Sequence, residues 1–252
     1  MRFWPKKTES PSQPWQEALN TPLFSLLNHE EKRQLIAMGD IFLQRKLLRP
    51  LQGVTLSPLD EYRLALLFCL PVLQLGLHYL DGFHEVLLYP APFIVENTCQ
   101  DEAGLVHNDM QIESGQSWLQ GPIVLNMQDI QESYDLSGYN LVIHEVAHKL
   151  DARGGGMMNG IPAIPLREFP TWENQLRTII DSIREEIALT GEEATTLDAY
   201  AASDPAECFA VMSEYFFSAP ELLTNRFPDF YQLLVGFYRQ DPAERLQPSA
   251  AP

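Results

Sequence analysis

Basic residues are scarce in this chain: 17 Lys and Arg stand against 34 Asp and Glu in 252 residues, a formal net charge of −17. A surface of that sign repels nucleic-acid phosphates and anionic headgroups, so direct nucleic-acid binding is not expected and any macromolecular partner should offer basic or apolar surface. Cysteine is rarer still. Cys69, Cys99 and Cys208 are odd in number and scattered, which argues against a disulfide framework and for a reducing compartment. No apolar run approaches the roughly 18 residues of a membrane span. The best of them, Leu64 to Leu73, reads as a buried helix. The start, Met1-Arg2-Phe3-Trp4-Pro5-Lys6-Lys7, carries positive charge but no apolar stretch of the kind a secretory leader needs. The expected location is the cytoplasm, with no membrane partner.

What remains is an ordinary globular composition, 45% hydrophobic and 10% aromatic, sufficient for a substantial core. Pro5, Pro11 and Pro14 among polar residues mark residues 1–20 as a loosely held tail, and residues 246–252 look similar. Between them no linker, repeat or low-complexity segment interrupts the chain, so residues 21–245 are expected to form a single domain. Helices are predicted over 29–48 and 58–74, the second opened by a Ser57 cap and Pro58. Short strands are predicted at 85–89, 93–95, 104–111 and 121–126, bounded by turn residues. Helical patterning returns at 137–151, 170–189, 204–218 and 220–238. The sum is an α+β fold, mainly helical, with a small mixed sheet beside the helix described next.

His144-Glu145-Val146-Ala147-His148 matches the HExxH pattern, in which one helical turn holds a zinc ion and a general base together. Apolar Leu141-Val142-Ile143 leads in, Leu150 continues the stripe, and Gly154-Gly155-Gly156 stops it. The helical period sets His144 and His148 on one face, while Glu145 flanks that face within reach of an activated water. A catalytic zinc needs a third protein ligand and an open fourth position. A third His six residues after His148 is excluded, because Gly154 stands there. A carboxylate from a downstream helix is the other common solution. In Asp204-Pro205-Ala206-Glu207, Asp204 caps, Pro205 takes the first position and Glu207 falls in the first turn. Glu207 in that place is also what helix capping alone would select, and Glu214, seven residues on along the same face, is a rival ligand. Helical geometry by itself leaves the two open.

The run His144 to Asp151, with Asp198-Ala199-Tyr200-Ala201-Ala202-Ser203-Asp204-Pro205-Ala206-Glu207-Cys208-Phe209-Ala210 and Ser213-Glu214-Tyr215-Phe216-Phe217, resembles the Mlc titration factor family of bacterial zinc peptidases, over residues 20 to 245. The family in turn resembles the zincin-like catalytic domain of anthrax lethal factor, where a Tyr precedes the ligand Glu by the interval separating Tyr200 from Glu207. Carried over by position, the resemblance implies His144, His148 and Glu207 as ligands of one Zn2+, Glu145 as the base, and Tyr200 as the transition-state donor. It further implies aminopeptidase-type activity on peptide substrates. A second implied role is binding of the glucose repressor Mlc, keeping it from its operators and so raising the glucose phosphotransferase system. The chemistry agrees: two neutral imidazoles and one carboxylate leave the site at a formal +1, which favours an acidified water. The alternative is a non-catalytic repressor-binding protein with a vestigial or regulatory zinc site; a pure binding module would need the surface but not the site.

Several residues carry weaker signals. Asp151 lies at the negative end of its helix, where a hydrogen bond to a ligand imidazole or an ion pair with Arg153 or Lys149 would compensate. The Arg153 to Gly156 loop lacks the signature of a phosphate cradle and reads as a flexible connection or a mobile lip. Gly121 to Asn126 is expected to be an edge strand on which an extended peptide lies. His29, His78, His84 and His107 lack ligand spacing, and Cys208 points aside from Glu207 and is expected to pack.

Overall fold

A computed structural model describes residues 13–100, 106–113, 115–117, 121–155 and 158–246, with backbone alone for the strands between 93 and 117. The helices are α1 (Gln13–Ala18), α2 (Pro22–Ser25), α3 (His29–Arg45), α4 (Pro58–Cys69), α5 (Met127–Glu132), α6 (Leu141–Ala152), α7 (Phe169–Thr190), α8 (Pro205–Ser218), α9 (Pro220–Arg226), α10 (Pro228–Tyr238) and α11 (Pro242–Leu246). The strands are β1 (Leu47–Pro50), β2 (Glu85–Tyr89), β3 (Phe93–Gln100), β4 (Val106–Glu113), β5 (Gly115–Ser117) and β6 (Ile123–Asn126). The architecture is α+β, as the sequence predicts. No described helix is long and apolar enough to cross a membrane.

Local chemistry accounts for most boundaries. Asn28 with Glu31, and Ser57 with Asp60, form reciprocal capping boxes that open α3 and α4. α4 ends at Cys69 instead of running to 74, because Pro71 has no amide hydrogen and crowds the preceding turn. The helix predicted over 220–238 is two helices. Pro228 forces Phe227 out of helical conformation, at φ −134° and ψ 63°, so α9 stops there and α10 restarts with Pro228 at its first position. The predicted tail is shorter at its inner end. Gln13 to Ala18 is helical, and Trp15 is buried against Gly39 with its indole Nε1 donating to Asp40 at 3.1 Å. Residues 1–12 and 247–252 lie outside the described residues.

The main sheet has the order β1-β2-β6-β5, with β1, β2 and β6 parallel and β5 antiparallel to β6. β3 and β4 form a separate antiparallel pair. The helix predicted over 29–48 ends at Arg45, and Leu47 to Pro50 instead pairs with Glu85 to Leu88. The expectation of an edge strand at Gly121 to Asn126 is corrected: β6 lies inside the sheet between β2 and β5, and all four of its residues are buried. Hydrogen bonding on both sides, not its apolar sequence, makes it central; β5 takes the edge. α6 packs against β5 and β6 on one side and against α4 and α8 on the other. The HExxH helix is therefore a core element, with ten of its residues buried.

Candidate metal centre

α6 begins at Asn140, whose Oδ1 accepts from the Ile143 amide at 2.9 Å while its Nδ2 donates to the Ser133 carbonyl at 2.6 Å. Leu141, Val142, Ile143, Val146, Ala147 and Leu150 go into the core, which fixes the helix about its axis and leaves His144 and His148 at the border of the buried region. The two Nε2 atoms face each other at 3.1 Å. α8 arrives from the other side with Asp204 as its cap, accepting from the Ala206 and Glu207 amides at 2.7 and 3.1 Å. Glu207 thus sits in the first turn, as the capping pattern requires, with Oε2 at 3.1 Å from His144 Nε2 and 3.3 Å from His148 Nε2.

Four donors placed tetrahedrally about zinc at about 2.0–2.1 Å stand about 3.3–3.4 Å apart. The three edges observed, 3.1, 3.1 and 3.3 Å, match a face of that figure. Glu207 Oε2 is buried and makes no hydrogen bond of good geometry to either ring. Convergence of three ligand atoms on one point is what a cation site presents. Among the described residues, His144, His148 and Glu207 are the group of His, Cys, Asp or Glu whose ligand atoms gather in this way.

Glu214, the rival carboxylate, is at the same imidazole but on its far side. Its Oε1 lies 2.8 Å from His144 Nδ1 and its Oε2 accepts from the Asn140 amide at 2.5 Å. A hydrogen on Nδ1 donated to Glu214 leaves the Nε2 lone pair directed at Glu207 and His148, so Glu214 orients the ring from behind. Asn140 carries no signal of its own in the sequence beyond that of a helix cap, and its hold on Glu214 depends on the packing of α6 against α8.

The charges are strongly perturbed. Burial works against the His144 imidazolium, but the adjacent Glu207 and Glu214 carboxylates outweigh it and raise the pKa well above the usual histidine value. Burial likewise opposes ionisation of Glu207, and its contacts with His144 and His148 overcome this, holding the carboxyl far below the ordinary range. A divalent cation entering the site therefore displaces a tightly held proton. Glu145 is 2% exposed, burial lifts its pKa, and its Oε2 has no hydrogen-bond partner.

Tyr200 lies on a 3₁₀ turn, Ala199–Ala202, with its ring centroid 6.2 Å from that of His144 and the planes 29° apart. The structure thus brings all five sequence-predicted site residues to one place. Asp151 behaves differently from expectation. It pairs with neither Arg153 nor Lys149, and Oδ2 instead accepts from the Gly160 amide at 2.7 Å. Arg153 lies over the Tyr79 ring at 5.0 Å, and Lys149 Nζ donates to the Gly121 carbonyl at 3.2 Å. A returning loop thus supplies a backbone amide in place of a cation, while Asp151 Oδ1 stays buried without a hydrogen-bond partner. Gly160, unremarked in the sequence, has φ +77°, and a Cβ on it would lie 2.1 Å from the Pro205 carbonyl oxygen, so the loop runs directly against the start of α8. Its carbonyl accepts from Trp172 Nε1 at 2.7 Å. Cys208 is buried, as expected. His29, His78 and His84 are exposed, and the side chain of His107 lies outside the described residues.

Comparison with known proteins agrees with this geometry. A family model described as glucose-regulated metallo-peptidase M90 matches residues 2–239. The Mlc titration factor A proteins of Shigella dysenteriae serotype 1 (strain Sd197) and Escherichia coli (strain K12) are each 58% identical over 247 residues, covering 96% of this chain and 93% of theirs.

Proposed function

The chain belongs to the glucose-regulated metallo-peptidase M90 family, and on that premise we propose that it is a zinc-dependent peptidase of aminopeptidase type. The observation that carries the reading is the triangle of His144 Nε2, His148 Nε2 and Glu207 Oε2, with edges of 3.1 to 3.3 Å, beside the buried Glu145, whose Oε2 has no hydrogen-bond partner. Zinc held by His144, His148 and Glu207 would supply Lewis acidity, acidifying the attacking water and polarising the scissile carbonyl.

The chain's own residues do the rest. Glu214 keeps a hydrogen on His144 Nδ1 and so presents Nε2 as a ligand. Glu145, raised into a more basic range by burial, takes the proton of the attacking water and passes it to the leaving amine. The Tyr200 phenol donates a hydrogen bond to the carbonyl oxygen as negative charge grows on it. The aminopeptidase preference rests on the family resemblance.

In the test, reconstituted parent protein is expected to carry about one zinc per chain and to cleave peptides with a free amino terminus faster than N-acetylated ones. Glu145→Gln is expected to keep its zinc while turnover falls about 10²–10⁴-fold. Equal rates in the two forms would remove Glu145 as the base; absence of zinc after reconstitution would remove the metal assignment.

A second role is proposed for the same chain: binding the glucose repressor Mlc and withdrawing it from DNA in the cytoplasm. The name of its relatives, Mlc titration factor A, supports this. So does a net charge of −17, which favours a protein partner with a basic face over DNA itself.

A further inference from the structure

Tyr200 is 52% exposed, and its ring lies 6.2 Å from that of His144, beside the ligand atoms. A tyrosine on an unrestrained loop would sacrifice much of the advantage of a prepositioned donor to conformational freedom. The backbone of the turn that bears it is tied at both ends.

At the leading end, Asp198 Oδ1 accepts from the Tyr200 amide at 2.9 Å, and the Asp198 amide donates to the Tyr215 hydroxyl at 3.0 Å. At the trailing end, Arg184 donates from both Nε and Nη2 to the Ala202 carbonyl, at 3.1 and 2.8 Å. Both ties reach the turn from rigid helices, Tyr215 from α8 and Arg184 from α7. The Tyr215 ring is itself held. It is 9% exposed and presses on Gly138, where a Cβ would lie 2.4 Å from its Cε1. Gly138 has φ +92°, a second reason for glycine at that position.

We propose that Tyr215 and Arg184 are positioning residues for the peptidase reaction, fixing the Ala199–Ala202 turn so that the Tyr200 hydroxyl meets the carbonyl oxygen of the substrate. The inference rests on the reading of Tyr200 as the donor and adds what holds it there. Neither residue touches the three ligand atoms, so the effect of each should fall on turnover and not on metal content.

Steady-state kinetics of the zinc-loaded full chain provide the test. Tyr215→Phe keeps the ring against Gly138 and removes the acceptor; its kcat is expected to fall about 10-fold, with KM changed less than about 2-fold and zinc content and Tm near the parent's. Arg184→Met should behave alike, and Arg184→Lys, which retains one donor, should recover part of the loss. The decisive measurement is the double variant. If Tyr215 acts through Tyr200, Tyr200→Phe/Tyr215→Phe is no slower than Tyr200→Phe. If Tyr215→Phe slows the Tyr200→Phe background by the same factor as it slows the parent, it acts elsewhere and the proposal is overturned. Parental kcat in both Tyr215→Phe and Arg184→Met, with Tyr200→Phe slow, overturns the positioning role alone. Parental kcat in Tyr200→Phe overturns the donor reading together with it.

Discussion

Glu207 and Glu214 are one amino-acid type on one helix face, seven residues apart, yet they do different work because they meet opposite nitrogens of the same imidazole. Glu207 approaches Nε2 and Glu214 approaches Nδ1. Only the second also has a backbone amide to serve, that of Asn140. Glu214→Gln leaves a single carbonyl oxygen to satisfy two donors and cancels the charge behind His144. Zinc affinity is expected to fall about 10–100-fold with all three ligands in place, read by competition with a chromogenic chelator; unchanged affinity would remove Glu214 from the support of the site. Asp151 allows a test by pH. Burial pushes its carboxyl up from 3.8 to about 6, only partly offset by the Gly160 amide. A raised native pKa means that the folded state binds the proton more tightly, so Asp151's contribution is fully present below about pH 4 and is lost as pH rises through about 6. In metal-free protein, the Tm of Asp151→Asn relative to the parent is therefore expected to rise between those pH values, on the order of 5 °C. A flat difference would contradict it. What the sequence showed of the site follows the same division. Helical period placed His144, Glu145 and His148, because those relations are local. It left Glu207 and Glu214 unresolved, because which carboxylate faces which nitrogen depends on how α8 seats against α6.

Among the elements, those set by local chemistry were legible: the Ser57 cap and Pro58 that open α4, the cap and proline that open α8, and the helical stretch of α7. Those set by distant partners were not. Leu47 and Leu48 read as more helix until Glu85 and Val86 pair with them, and nothing within Ile123 to Asn126 says that strands will flank it on both sides. Pro71 and Pro228 are local signals strong enough to end a helix that the apolar period alone would continue. The loop after α6 is another tertiary feature, since Gly160 ties the end of α6 to the start of α8 through Asp151 and the Pro205 carbonyl. Gly160→Ala places a Cβ 2.1 Å from that oxygen at a φ of +77°. Strain and overlap together are expected to cost about 2–5 kcal/mol, measured by urea unfolding of the metal-free form. A loss below about 1 kcal/mol would show that the loop yields and the junction is soft.

For the molecule as a whole, the charge of −17 bears on how a partner is met. Sequestration of a repressor needs surface complementarity and not bond cleavage, so Glu145→Gln is expected to retain repressor binding at the parent's affinity. The association rate should decline as salt is raised from about 0.05 to 0.5 M, as screening shortens the reach of the charges. Surface plasmon resonance and a gel-shift competition read both. Direct binding of this chain to operator DNA, or loss of repressor binding in folded, zinc-loaded Glu145→Gln, would overturn the sequestration role.

α8 carries Glu207 at the ligand triangle, Glu214 behind His144 and Tyr215 under the turn that bears Tyr200. Three tasks are thus spelled along nine consecutive residues of one rod, and each extra residue in a helix turns everything after it by about 100°. A single-codon insertion between Glu207 and Glu214 would keep the composition, the cap and the buried apolar character of the helix, yet swing Glu214 and Tyr215 away from their partners together. In α8 the spacing itself therefore matters as much as the residues that it sets apart.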